Sequence, residues 1–111
     1  MKPYRIWAVC LTVAAGSTLA LAADKGDAAK GKEVFAARCA MCHSADTDER
    51  KQGPGLKGLM KKDKMANGKK ITEASIRTQI DDGDPAKGMP PYKDTLEAPE
   101  KDNLIAYLKT L

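Results

Sequence analysis

Three residues in the stretch "RCAMCHS" carry side chains that can do chemistry. Cys39 and Cys42 are separated by two residues, and His43 follows directly. Three kinds of site use two cysteines at this spacing: a thiol–disulfide couple, half of a zinc site, and a covalent haem attachment. Each kind needs further ligands or a particular surrounding fold, so the rest of the chain must decide among them.

The N-terminal segment 1–22 has the composition of a secretory signal peptide. Lys2 and Arg5 form a short positive region, and an apolar run rich in alanine, valine and leucine follows. The sequence "ALA" at 20–22 then places small residues at the spacing of a cleavage site. This order of positive, apolar and small residues predicts that the chain is exported.

An uncleaved membrane anchor is the alternative interpretation of the same segment. Its apolar run is short for a spanning helix, which needs about 20 apolar residues. We therefore expect cleavage after Ala22 or Ala23 and location in the periplasm. The mature domain is then 23–111, and we expect it to have no membrane span.

Cleavage changes the charge and the set of reactive residues. The whole chain has a net charge of +4, and loss of Lys2 and Arg5 without any acid lowers it to +2. Cys10 is also removed, so the mature domain keeps Cys39, Cys42 and a single histidine. Thiols tend to be oxidised outside the cytoplasm, so we do not expect these two to stay free. Nothing in so small a net charge predicts nucleic-acid binding.

The apolar pattern predicts an all-α domain with long loops. One predicted helix spans 24–38 with Asp27 as its N-cap, a second spans 72–82 with Thr72 as its cap, and a third spans 99–110. No segment alternates with a period of two over the length of a strand. Loops this long in a small domain indicate a function or a missing partner, and a large apolar cofactor would hold them.

The number of available ligands argues against zinc and a thiol couple. Zinc needs four nitrogen or sulfur ligands, or three and a water, and the mature chain has only three cysteines and histidines in all. A thioredoxin-like couple requires a βαβ pattern, which is missing. The full pentad C-x-x-C-H is typical of c-type haem attachment. We predict one haem c, covalently bound through Cys39 and Cys42, with His43 as an iron ligand.

Methionine is the expected second axial ligand, since it is a common partner of histidine in electron-transfer haems. The candidates in the mature chain are Met41, Met60, Met65 and Met89. Met41 lies inside the pentad on the histidine side. Met89 lies in "KGMPPY", where a glycine permits an unusual backbone angle and two prolines restrict the chain. These features favour Met89, with a lysine or an open site as the alternatives.

Four segments together resemble the class I c-type cytochromes, which are small monohaem electron carriers of the bacterial periplasm. They are "GKEVFAARCAMCH", "GPGLKGL", "GMPPY" and "LIAYLKTL", in the order found in that family, over about residues 24–111. The resemblance implies several helices wrapped around one haem. It also implies that Gly31 and Phe35 of the first helix meet Tyr107 of the last.

The resemblance extends to residues around the cofactor. It implies that the Pro54 carbonyl accepts a hydrogen bond from the imidazole of His43, which orients the ring. It further implies that Tyr92 packs beside the haem or binds a propionate. The sequence departs from some family members because its mature chain has no tryptophan to bind a propionate.

The expected function is one-electron transfer by a monomer that is not an enzyme. Redox donor and acceptor proteins would dock transiently, and the lysines between 57 and 70 could steer an acidic partner. One alternative is a cytochrome subunit of a larger respiratory or dehydrogenase complex. Another is a five-coordinate haem sensor or peroxidase, although the mature chain has no second histidine to act as a distal acid–base group.

Overall fold

The computed structural model describes residues 26–111, which form an all-α fold. Its three α-helices are α1, Ala28–Arg38; α2, Glu73–Asp82; and α3, Ala98–Leu108. Single 3₁₀ turns lie at Leu59–Lys61 and Pro85–Lys87. Within 26–111 the only β-type pairings are two isolated bridges, and no helix there has the length and apolar character to cross a membrane. The all-α prediction is confirmed. The expected signal peptide lies outside the described residues.

The first two helices begin at the capping side chains that the sequence predicts. The Asp27 carboxylate accepts hydrogen bonds from the amides of Ala29 and Lys30, and Thr72 forms a capping box with Ser75 at the start of α2. The first helix was predicted to begin at Asp24, which lies outside the described residues. Asp27 itself is extended, so α1 begins only at Ala28, because an N-cap residue stands outside the helix that it caps.

The third helix begins one residue earlier and ends two residues earlier than predicted. Glu97 forms a capping box with Glu100, and Pro99 lies in the first turn. Proline is tolerated there because its fixed φ suits a helix and its missing amide hydrogen would have no partner within the helix. At the other end, Thr110 donates to the Tyr107 carbonyl through its hydroxyl and its amide. These turn-like hydrogen bonds replace the last predicted turn of the helix.

Helices α1 and α3 cross in close contact at Gly31. A Cβ at Gly31 would overlap the Asn103 carbonyl and lie 2.8 Å from the Tyr107 Cβ. The rings of Phe35 and Tyr107 pack beside this point with centroids 5.5 Å apart and a tilt of 59°. The crossing implied by the family resemblance is therefore present, and it explains why a glycine is tolerated in the middle of a helix.

Three ion pairs link α2 to α3 and to the residue that caps its C-terminus. Residues four apart share one face of a helix, and α2 presents Glu73, Arg77 and Asp81 at this spacing. The ion pairs are Glu73–Lys109 at 2.6 Å, Arg77–Asp102, and Asp81–Lys101 at 2.6 Å. These pairs leave the apolar side of α2 free to face the interior.

The apolar core is small and lies beside a large cavity. Eight apolar side chains of the described residues are buried: Phe35, Leu59, Ile76, Ile80, Leu96, Leu104, Ile105 and Leu108. Six of these eight, all except Leu96 and Ile105, also line the cavity. Most of the core therefore faces space that a bound group can fill.

The helix crossing should not tolerate a larger residue at Gly31. We expect Gly31→Val to lower the free energy of unfolding of the haem-loaded protein by about 3 kcal/mol or more, because the added atoms meet backbone that cannot move aside. Chemical denaturation followed by circular dichroism measures the loss. Ala36→Val is the matched control at an exposed position of α1 and should cost less than about 1 kcal/mol. Equal losses in the two variants would contradict the close contact.

Candidate cofactor site

The segment that contains the two cysteines follows directly from the end of α1. The amides of Cys39 and Ala40 donate to the Phe35 carbonyl, and the amides of Cys42 and His43 donate to the Cys39 carbonyl at 3.1 and 2.9 Å. This extra turn brings Cys39, Cys42 and His43 to the wall of one cavity. Met41, between the cysteines, is 88% exposed.

The imidazole of His43 is held in one orientation and one tautomer. Its Nδ1 lies 2.8 Å from the Pro54 carbonyl oxygen. A carbonyl can only accept a hydrogen bond, so Nδ1 carries the proton and Nε2 keeps its lone pair for a metal. This is the contact that the family resemblance implies for Pro54.

Gly53 lies directly against the imidazole, a contact that the sequence did not predict. A Cβ at Gly53 would lie 2.7 Å from His43 Nδ1 and would overlap the ring carbon beside it. The Gly53 amide also donates to the Cys42 carbonyl at 2.8 Å. The only signal in the sequence was the turn composition of "GPG", which predicts a loop but not which side chain lies against it.

The thiol chemistry of the site is unlike that of a reactive cysteine pair. Cys39 and Cys42 are both free and partly buried. Burial, with a smaller effect from Cys42, raises the pKa of Cys39 to about 11. Redox-active cysteines have a lowered pKa because the thiolate is the nucleophile. A protonated, half-buried thiol therefore counts against the thiol–disulfide interpretation.

Met89 lies in the cavity wall on a short loop with a defined backbone. The Asp84 amide donates to the Met89 carbonyl at 2.9 Å, and the Met89 amide donates to the Asp84 carbonyl at 3.0 Å. Gly88, just before it, has a φ of 89°, which favours glycine. The Gln79 amide nitrogen lies 3.4 Å from the Met89 sulfur, a contact that the sequence did not predict.

The other three methionines of 26–111 are placed differently. Met65 also lines the cavity and is partly buried. Met60 is 38% exposed and, like Met41, is not among the residues that line the cavity. The structure therefore reduces four candidate sulfur ligands to two, Met89 and Met65.

Tyr92 joins the Met89 segment to the end of α1. Its hydroxyl donates to the Arg38 carbonyl at 3.1 Å, and its amide donates to the Ile80 carbonyl at 2.9 Å. Burial, followed by the nearby Cys39 and Cys42, raises the pKa of the phenol, so it stays a neutral donor. The ring lines the cavity while the hydroxyl is occupied by main chain, which favours packing over propionate binding.

The cavity combines an apolar interior with a basic rim. The space between its walls and the open solvent at its mouth together amount to about 1370 Å³. Exposed basic side chains at its edge are Arg38, Arg50, Lys62, Lys64 and Lys87, with Asp84 as the acidic residue among those that line it. This arrangement fits a large, flat apolar group that carries carboxylates.

Known proteins with similar sequences and structures identify the family. The family model described as Cytochrome c matches residues 28–111. The chain belongs to the cytochrome c family. It is 40% identical to cytochrome c6 of Rippkaea orientalis over 87 residues, which cover 75% of this chain and 69% of the relative. It is 34% identical to cytochrome c of Gibberella zeae, covering 76% of this chain and 93% of the relative.

A solved structure supports the same assignment. Cytochrome c6 from the diatom Phaeodactylum tricornutum superimposes with a TM-score of 0.59 at 31% identity, covering 77% of this chain and 93% of that protein. The protein is thus a small class I c-type cytochrome with an all-α fold. As a cytochrome c it is a small haem electron carrier with one covalently bound haem c.

The cavity of this cytochrome c fits that cofactor. Its lining includes two free thiols, an imidazole whose Nε2 is available, and a methionine side chain. Six buried core side chains face the interior, and basic groups at the rim can neutralise the haem carboxylates. The residues present therefore fit a haem c, since they include thiols for covalent attachment, side chains that can ligate iron, and apolar surroundings.

The contact between Gly53 and His43 gives a direct test of the site. We expect Gly53→Ala to displace the imidazole, weaken its hydrogen bond to Pro54 and lower the free energy of unfolding by about 2 kcal/mol. Denaturation of the haem-loaded protein, together with NMR of the His43 ring protons, measures both effects. Gly58→Ala is the control, because a Cβ there meets nothing within 4 Å and only backbone strain of about 1 kcal/mol remains. Unchanged ring signals in Gly53→Ala would refute the proposed packing role.

Proposed function

We propose that the protein is an exported one-electron carrier whose haem is attached through Cys39 and Cys42 and coordinated by His43 and Met89. The observation that carries the proposal is that all four side chains line one cavity. When bound, the haem supplies the reversible one-electron change between Fe(III) and Fe(II). The protein itself sets the ligands, the exclusion of water and the electrostatic surroundings.

On this proposal the histidine is the strongly oriented ligand. Its Nδ1 proton is donated to the Pro54 carbonyl, which fixes the ring and enriches the electron density at Nε2. Gly53 allows the main chain to close over the ring. The same residues hold the imidazole in both oxidation states, so little reorganisation accompanies the electron.

Met89 is favoured over Met65 as the second axial ligand because of its backbone. Its amide and carbonyl are both paired with Asp84, and Gly88 before it adopts a left-handed conformation. A thioether is a weak ligand, so it benefits from a loop that is already in place before binding. Two prolines directly after Met89 restrict the chain further.

The basic rim supports transient docking with redox donors and acceptors. Electron-transfer complexes are small and short-lived, typically burying below about 1,200 Å², and long-range attraction raises their rate of formation. Lys62 and Lys64 contribute both to the rim and to the basic stretch 57–70. We therefore expect its partners to present acidic surfaces. The protein itself would act as a monomer in the periplasm.

Replacement of the methionine ligand should change the spectrum in a specific way. We expect Met89→Ala to abolish the weak absorption band near the red end that a sulfur–iron(III) bond produces, and to let the reduced protein bind carbon monoxide readily. Met65→Ala is the matched control, since Met65 also lines the cavity, and it should keep the band. The reverse outcome would assign the ligand to Met65.

The same measurements separate the alternative functions. Ready binding of carbon monoxide by the wild-type protein at neutral pH would favour a five-coordinate sensor or peroxidase. If the isolated protein is unstable, or if it purifies with a partner protein in a fixed ratio, the result would favour a subunit of a larger respiratory or dehydrogenase complex.

Export and attachment can be tested by intact mass. With haem-attachment machinery in a bacterial host, we expect the chain in the periplasmic fraction, with Ala23 or Asp24 as the first residue and a mass increase of one haem. A double variant, Cys39→Ser with Cys42→Ser, should lose the covalent haem. A mass that matches the uncleaved chain would refute the signal peptide, and haem retained covalently by the double variant would refute the attachment site.

A further inference from the structure

Lys101 is a buried charge close to the Met89 segment. It is the buried charged residue among 26–111, with 9% of its surface exposed to solvent. Burying an ammonium group is unfavourable unless it is paired and hydrogen-bonded. The groups that its ammonium contacts therefore indicate the structural role of Lys101.

The ammonium of Lys101 contacts two residues that stand on either side of one loop. Its Nζ lies 2.6 Å from Asp81 Oδ1 and donates to the Lys93 carbonyl at 3.1 Å. Asp81 lies in the last turn of α2, and Lys93 directly follows residues 83–92, which we name the Met89 loop. The Lys93 amide also donates to the Asp81 carbonyl at 3.2 Å, so the two ends of the loop lie side by side.

We propose that Lys101 is a positioning residue, which holds the ends of the Met89 loop together and thereby keeps the Met89 sulfur on the iron. The inference rests on the proposed function, in which Met89 is an axial ligand. One side chain of α3 reaches the last turn of α2 and the residue that follows the loop. Its removal frees the Lys93 carbonyl and the Asp81 carboxylate at the same time, and the loop can then open from its base.

A role in helix packing alone does not explain these contacts. Lys109, the residue that caps the C-terminus of α3, also pairs with a residue of α2, because its Nζ lies 2.6 Å from Glu73. That pair is exposed, at 46% for both side chains, whereas the Lys101 side chain is 11% exposed. The additional hydrogen bond to the Lys93 carbonyl links Lys101, unlike Lys109, to the loop.

The test measures how often the ligand leaves the iron in the haem-loaded protein. An added ligand such as imidazole binds ferric haem only when the sulfur is off, so its apparent affinity scales with the population of that state. We expect Lys101→Met to raise the apparent imidazole affinity at neutral pH about tenfold, because a buried charged hydrogen bond is lost. Lys109→Met should change it less than about twofold. Lys101→Arg, which keeps the charge and donors, should recover most of the wild-type affinity.

The outcomes distinguish this proposal from the assignment of Met89. A wild-type ferric spectrum without the red-end band refutes Met89 as the ligand. If the band is present but Lys101→Met leaves imidazole affinity unchanged, or raises it no more than Lys109→Met does, only the role of Lys101 is overturned. Should Lys101→Met not fold, the double variant with Asp81→Asn removes both charges. It should show the same tenfold rise, and an unchanged affinity overturns the proposal.

Discussion

The apolar cavity governs how the helices and loops of this domain pack. A domain of this size has few apolar residues to bury, and most of those that are buried also face the cavity. The helices therefore pack around a small core of their own side chains that stays open to the cavity on one side. They surround a group that completes the core, which is why long loops between Ser44 and Ile71 can be held with so few apolar residues.

The position of that group is set by the crossing of α1 and α3. Gly31 lets the two helices approach until backbone meets backbone, and Phe35 and Tyr107 fill the space beside it. Helix α1 ends at Arg38, which lines the cavity, so the cysteine segment begins at the cavity wall. The crossing thus determines where Cys39 and Cys42 meet the cavity, and on the proposed function this attachment point determines where the iron ligands must come from.

The two segments that carry the proposed iron ligands are restrained in different ways. His43 is held through its side chain: Nδ1 donates a hydrogen bond to the Pro54 carbonyl, and Gly53 packs against the ring. Met89 is held through its backbone, by the pairing with Asp84, and at the base of its loop by Lys101. A strong ligand needs only orientation, whereas a weak thioether depends on a loop that stays closed.

Local residue patterns indicated the cofactor and the existence of all three helices. The pentad names the cofactor because its spacing suits the bonding of a haem, and the caps at Asp27 and Thr72 mark helix starts because they satisfy local amides. The tertiary structure alone decided which residues meet across long separations. Gly53 against His43, Tyr92 on the Arg38 carbonyl and Lys101 at the base of the Met89 loop have no local signal, because each contact depends on how separate segments pack around the cavity.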